Sequence, residues 1–193
     1  MPRLLVIIGS TRPGRVGLPV AEWFTGRASA DGSFEIEVAD LATIDLPPLD
    51  EPHSPRLREY TKTHTLEWSA LVDAADAIVI VTAEYNHGYP AALKNALDYL
   101  FHEWRHKPLG FVSYGGVAAG TRAVQQLCQV TSALQLMPVA SAVHIPFVTS
   151  LLDAEARFVS TELLDLTADA MLRELRSMHD VLASSRARTQ SPV

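Results

Sequence analysis

The 193-residue chain carries a single cysteine, Cys128. No internal disulfide can form, so the core must hold the fold unaided, and the composition suits a reducing compartment such as the cytoplasm. Dense lysine and arginine blocks are also missing. The formal net charge is -6, and Arg186 and Arg188 read as solvating residues, which argues against a nucleic-acid partner. No segment approaches the roughly 20 apolar residues needed to span a bilayer. The opening MPRLLVIIGS turns at Gly9 without a cleavage-like stretch, so neither a membrane anchor nor a secretion signal is expected. No internal repeat is evident and nothing marks a second domain. Residues 1–182 are expected to form one unit and 183–193, ASSRARTQSPV, a frayed tail.

What is present is an ordinary balance of 48% apolar and 20% charged residues, enough for a substantial core. Five apolar runs of strand length recur: Leu4–Ile8, Phe34–Val38, Ala77–Thr82, Leu109–Ser113 and Val139–Val143. Several are continuous blocks, as in parallel strands covered on both faces. Helical spacing fills the intervals over Val16–Ala30, Arg56–Ala74, Ala91–Leu100 (opened by Pro90), Thr121–Ala133 and Thr161–Met178. Cys128 falls on the apolar stripe of the fourth of these and reads as packing. Five alternations of strand and helix predict an α/β fold, a doubly wound parallel sheet with helices on both faces. The irregular stretches Asp40–Pro55 and His144–Asp153 follow strands, and so belong at the carboxyl edge of the sheet, where ligands bind in such folds.

The first strand runs into a loaded turn, VIIGSTRPGRVG. Gly9, Gly14 and Gly17 do not have the G-x-G-x-x-G spacing of a dinucleotide turn. Gly9 and Gly14 match the Walker spacing, but Arg15 and Val16 replace its lysine and hydroxyl, and valine cannot hold magnesium. A turn remains that can wrap a terminal phosphate monoester. Backbone amides and a helix N-terminus supply donors, Ser10 and Thr11 add hydroxyls, and Arg12 or Arg15 can fork onto phosphate oxygens. Solvated arginines on a tight turn are the competing reading. With strand order 2-1-3-4-5, the stretch AEYNHGYPAALKNALDYL faces this turn across the switch point, and SYGGVAAG brings Gly115 and Gly116 close to a flat ligand.

On these three motifs together, GSTRPGRVG, AEYNHGYPAALKNALDYL and SYGG, residues 3 to 145 resemble the NADPH-dependent FMN reductase family, flavodoxin-like proteins that include quinone reductases and azo-dye reducers. One departure is Ala83, where members commonly carry proline. The resemblance implies a five-stranded flavodoxin-like sheet. It assigns the FMN phosphate to Ser10, Arg12, Arg15, Val16 and Gly17, the last two through their amides. It sets the isoalloxazine against Glu84, Tyr85, Asn86 and His87, with Ser113, Tyr114, Gly115 and Gly116 around its other edge. It implies NADPH as donor, a quinone or similar small acceptor, and a homodimer or homotetramer. Two other functions are compatible with the motifs: release of reduced FMN to another protein, and a flavodoxin-type electron carrier without nicotinamide activity. No metal site is expected, since His102 and His106 lack a third ligand. Lys94 and Asp98 are spaced to pair on one helix face. Tyr99, Phe101 and Trp104 read as a core cap or a subunit contact, and the Asp40–Pro55 loop as a lid or a roof over a neighbour's site.

Overall fold

The computed structural model describes residues 1–189 in backbone and residues 1–183 in side chain. The parallel sheet has the order β2-β1-β3-β4, built from β1 (Arg3–Ile8), β2 (Glu35–Asp40), β3 (Ala77–Ala83) and β4 (Pro108–Tyr114). Two short strands, β5 (Met137–Pro138) and β6 (Val143–Ile145), share the fifth position, both pairing with β4. This is the flavodoxin-like arrangement. Every residue of β3 and β4 is buried, as expected of continuous apolar strands sandwiched between helices.

The residues of β1, β3 and β4 divide by their period of two between two cores. Leu4, Val6, Ile8, Val79, Val81 and Val112 pack against α1 (Gly17–Asp31) and α6 (Glu162–Thr189). Leu5, Ile7, Ile78, Ile80 and Phe111 pack on the other side. That side is covered by α2 (Leu41–Ile44), α3 (Thr63–Asp73), α4 (Ala91–Asp98) and α5 (Thr121–Ala133). Tyr99, Phe101 and Trp104 are core residues here, with Trp104 edge-on to Trp68 at 5.9 Å. Lys94 and Asp98 pair as their spacing predicts. Cys128, by contrast, is exposed rather than packed, one residue past buried Leu127.

Three elements depart from the sequence expectations. The Arg56–Ala74 helix begins only at Thr63, after a single 3-10 turn at Pro55–Leu57 that ends on left-handed Arg58, φ 54°. Two carboxylates divert this segment. Glu51 takes the backbone amides of Thr61 and Lys62 at 2.9 and 3.0 Å, supplying the cap that the Lys62 side chain does not. Buried Glu103 accepts from Arg58 Nε (3.2 Å), Tyr60 Oη (3.1 Å) and Ser69 Oγ (2.8 Å). The fifth strand is interrupted because Glu174 of α6 captures the Ser141 amide at 2.9 Å and its hydroxyl at 2.6 Å. Residues 139–142 then stand opposite only Gly110 and Phe111 of β4. Finally, the backbone of the expected tail is helical to Thr189; residues 190–193 lie outside the described residues.

Burial raises Glu51, but the Thr61 and Lys62 donors overcome it and hold the carboxyl down to about 2. A depressed folded pKa contributes stability above the ordinary carboxylate range and loses it as pH falls toward the folded value. The stability difference between the wild type and Glu51→Gln is therefore expected to shrink as pH is lowered from 5 toward about 2, read from urea midpoints. Glu103→Ala strands Tyr60 and Arg58 beside a buried gap, and is expected to cost about 3 kcal/mol in the same assay at neutral pH.

Candidate functional site

The carboxyl ends of β1, β3 and β4 lie side by side, so the three loops singled out in the sequence meet at one edge. The first loop leaves β1 with the Gly9 amide bonded to Val81 of β3 at 2.9 Å. Ser10 follows, fully buried, and its Oγ accepts a 2.9 Å hydrogen bond from Tyr114 Oη at the end of β4. Burial pushes the Tyr114 phenol up to about 12, against the opposing pull of Ser10, Arg15 and Arg12. The phenol thus remains the donor throughout the neutral range, and both arginines are near enough to act on it.

The turn fits an anion on three counts. First, α1 begins at Gly17 with no side-chain cap from Val16, leaving its first amides for a ligand. Second, a Cβ on Gly17 would clash with Ser10 Oγ and Tyr114 Oη, so glycine leaves room for the two hydroxyls that floor the turn. Third, Arg15 Nε is buried without a partner, a donor whose desolvation an incoming oxygen would offset. Arg12 is exposed on the rim. Arg15 is not a free clamp, since its Nη2 is ion-paired with Asp40 at the end of β2.

The second loop is a two-residue turn. Tyr85 and Gly88 exchange backbone hydrogen bonds of 2.8 and 2.9 Å, while Asn86 and His87 between them both have left-handed φ, 50° and 69°. That is the geometry of a type I′ turn, to which asparagine is suited and histidine less so. Gln126 of α5 holds the turn through the His87 carbonyl at 3.1 Å. Glu84 does not offer its carboxylate to the crevice. It is nearly buried, accepting Arg122 Nε at 2.6 Å and the Arg122 amide at 3.3 Å. A cation in the first turn of α5 opposes the helix dipole, and Glu84 both compensates it and caps the helix.

The third loop is fixed from below. Ser113 Oγ donates to the Ala119 carbonyl at 2.8 Å, so the 2.7 Å contact from His144 Nδ1 must be an N–H donated to that oxygen. Burial lowers the His144 pKa, in keeping with this neutral tautomer. Ser113 is therefore an internal strut, and the Tyr114 side chain serves the first loop rather than this one. Gly115 and Gly116 instead present backbone, with carbonyls bonded to the Val148 and Phe147 amides at 3.2 and 3.1 Å. Around them Tyr85, Val117 and Phe147 stand 38%, 78% and 57% exposed, an apolar rim on an otherwise polar edge.

All the sequence-derived site residues thus belong to these three loops, but their side chains divide. Arg12, Tyr85, Asn86 and His87 are open to a ligand, whereas Ser10, Glu84, Ser113 and Tyr114 are tied inward to one another or to neighbours. Sequence reading missed Asp40, Arg122 and His144. Of these, only Arg122 gave a local signal, as a cation where a helix start disfavours one. Beyond the loops, Asn95 and Tyr99 of α4 and its C-terminus bind the Pro47 carbonyl at 2.7 and 3.0 Å, and Asn95 also receives the Leu49 amide at 2.9 Å. The proline-rich segment is thereby pinned to its own chain. Among the described residues no group of three potential metal ligands gathers, and no helix is long and apolar enough to cross a membrane.

With this geometry in view, comparison with known proteins is direct. Residues 2–150 match the family described as NADPH-dependent FMN reductase. An NAD(P)H-dependent FMN reductase of Schizosaccharomyces pombe is 44% identical over 126 residues, spanning 64% of this chain and 63% of that protein. A 2-hydroxy-1,4-benzoquinone reductase of Burkholderia sp. is 30% identical over 115 residues, covering 59% and 55% of the two chains. In fold, the chain resembles the NAD(P)H:(acceptor) oxidoreductase FerB of Paracoccus denitrificans, with a TM-score of 0.74 at 19% identity over 92% of this chain and 99% of that one. The chain belongs to the NADPH-dependent FMN reductase family, and is an FMN-binding oxidoreductase of that class.

Gly17→Ala tests the cradle. The added methyl must displace Ser10 or Tyr114, at an expected cost of about 2 kcal/mol, and FMN affinity should fall at least about tenfold with it. Thermal melts and flavin fluorescence quenching read the two effects separately.

Proposed function

We propose that residues 1–182 work in the cytoplasm as a single FMN-binding domain, taking hydride from NADPH and passing electrons to a quinone or a similar flat acceptor. The observation that carries this reading is the pairing of an anion cradle with an exposed apolar rim at one sheet edge. Bound FMN would supply a ring able to accept a hydride from a nicotinamide and give up two electrons. The chain's part is to bind and orient. Arg12, Arg15 and the amides of Val16 and Gly17 hold the phosphate, and buried Ser10 supports the turn beneath it through Tyr114. The turn from Glu84 to His87 lies along one side of the ring, and the strand end from Ser113 to Gly116 along the other. The Gly116 N–H would favour negative charge at the pyrimidine edge, the Gly115 N–H being committed to the Ile145 carbonyl at 3.2 Å.

Tyr85, Val117 and Phe147 suit a planar apolar acceptor, and no charged residue in this rim repels one. The Burkholderia relative supports a quinone of this kind. Glu84, committed to Arg122, acts as a brace that fixes the spacing between the two ring-side loops. A homodimer or homotetramer is the expected assembly.

The test is an anaerobic absorbance titration of FMN-loaded protein with NADPH, then NADH, followed by a benzoquinone. Bleaching with NADPH and recovery with the quinone is the expected result. Bound FMN that neither nicotinamide reduces would replace the reductase with an electron carrier. Release of reduced flavin into the filtrate before quinone is added would make FMN a substrate rather than a resident group. Arg122→Ala should weaken FMN binding several-fold by freeing the Glu84 brace, and should also lower the melting temperature because a nearly buried carboxylate loses its cation, as read by fluorescence titration beside a melt.

A further inference from the structure

We propose that Asp40 is an affinity-setting counter-ion: it neutralises Arg15 and competes with the flavin phosphate for it, so that FMN is held in exchangeable form. The proposal rests on reading the Ser10–Gly17 turn as the phosphate site. Asp40 is the last residue of β2, in register with Ile8, the last residue of β1. Its carboxylate therefore emerges at the sheet edge where the turn begins. It cannot swing freely, because Oδ1 accepts the Ala42 amide at 3.0 Å as the cap of α2. This leaves Oδ2 to face Arg15 Nη2, in an ion pair whose side chains are only 14% and 18% exposed.

The pair has two consequences for an arriving phosphate. Arg15 presents a buried, unpartnered Nε–H, which a phosphate oxygen would satisfy. Its charge, however, is already offset by a carboxylate held beside it, and that carboxylate repels a phosphate dianion drawn to the same guanidinium. In a partly desolvated setting such repulsion is weakly screened. Exposed Arg12 is then the cation whose charge Asp40 does not offset, and Asp40 limits the hold of the turn without disturbing its shape. In the absence of flavin the same ion pair ties the turn to β2 and α2. With Asp40 held in place, an arriving phosphate shares the Arg15 guanidinium with a carboxylate rather than displacing it, and only Arg12 offers charge that is not already offset.

Affinity for FMN and for riboflavin, which lacks the phosphate, distinguishes this role from others. Fluorescence titrations on the full chain compare the wild type with Asp40→Asn and Asp40→Ser, each of which keeps an oxygen able to cap α2 but removes the charge. The expected result is FMN binding tightened about tenfold, riboflavin binding changed less than twofold, and loss of the gain when Arg15→Gln is added. Serine is the second variant should asparagine fail to fold, with melting curves as the check. Weaker FMN binding with riboflavin unchanged would overturn the proposal and make Asp40 an orienting partner of Arg15. Equal shifts for both flavins would also overturn it, since Asp40 would then act through the fold. A wild type that binds FMN no better than riboflavin would instead overturn the phosphate reading itself, and is recognised because it needs no variant.

Discussion

The hydrogen bond from Tyr114 to Ser10 joins the end of β4 to the beginning of the anion turn across the intervening end of β3. It requires the three strands to finish level, and their parallel register supplies that. Ile8 pairs with Val81, and Val81 with Val112, so Ser10 and Tyr114 emerge two residues further on along their own strands. It also requires a helix start without a side chain, since any Cβ at Gly17 would occupy the space of both hydroxyls. Burial keeps the phenol protonated, so the contact persists at neutral pH. The anion turn, the strand end and the first turn of α1 are in effect one rigid piece, and the loops after β3 and β4 are placed relative to it.

A second theme is that arginines are matched by carboxylates from elements distant in sequence. Asp40 of β2 holds Arg15, Glu84 after β3 holds Arg122 of α5, and Glu103 holds Arg58. These pairs do more for geometry than for net stability, because the gain of a partly buried ion pair is largely offset by desolvation. Each fixes where one loop lies with respect to its neighbour. At Arg15 the same arrangement also decides how much positive charge is left for a ligand, which links the scaffold to the affinity of the site.

Much of the architecture was legible in the sequence. The continuous apolar blocks at Leu4–Ile8, Ala77–Thr82 and Leu109–Ser113 could only be strands covered on both faces, and all three are. Thr121–Ala133 forms as its spacing indicated, from the residue after Gly120. The misreadings occurred where a distant side chain claimed a backbone group. Glu51 and Glu103 drew residues 58–62 out of a helix, and Glu174 drew Ser141 out of a strand. Local periodicity carries no trace of such claims, because the claimant lies from 10 to 45 residues away, outside the segment itself. Cys128 failed differently: the edge of an apolar stripe faces core or solvent according to how the helix is rolled, and packing alone decides that.

The sequence by itself determined the alternation of strand and helix, the sheet edge at which the three loops meet, and the residue types of the turn after β1, because these follow from period, length and local turn chemistry. Tertiary structure alone decided which of those side chains are free to act. Ser113 and Glu84 have the chemistry of ligand contacts, yet one is a strut beneath its loop and the other a brace to Arg122. Asp40, which no motif distinguishes, stands beside the key guanidinium. The reason is physical: a polar group near the interior must satisfy its hydrogen bonds with whatever the fold brings within reach, and that neighbour is set by strand order and register rather than by position in the chain.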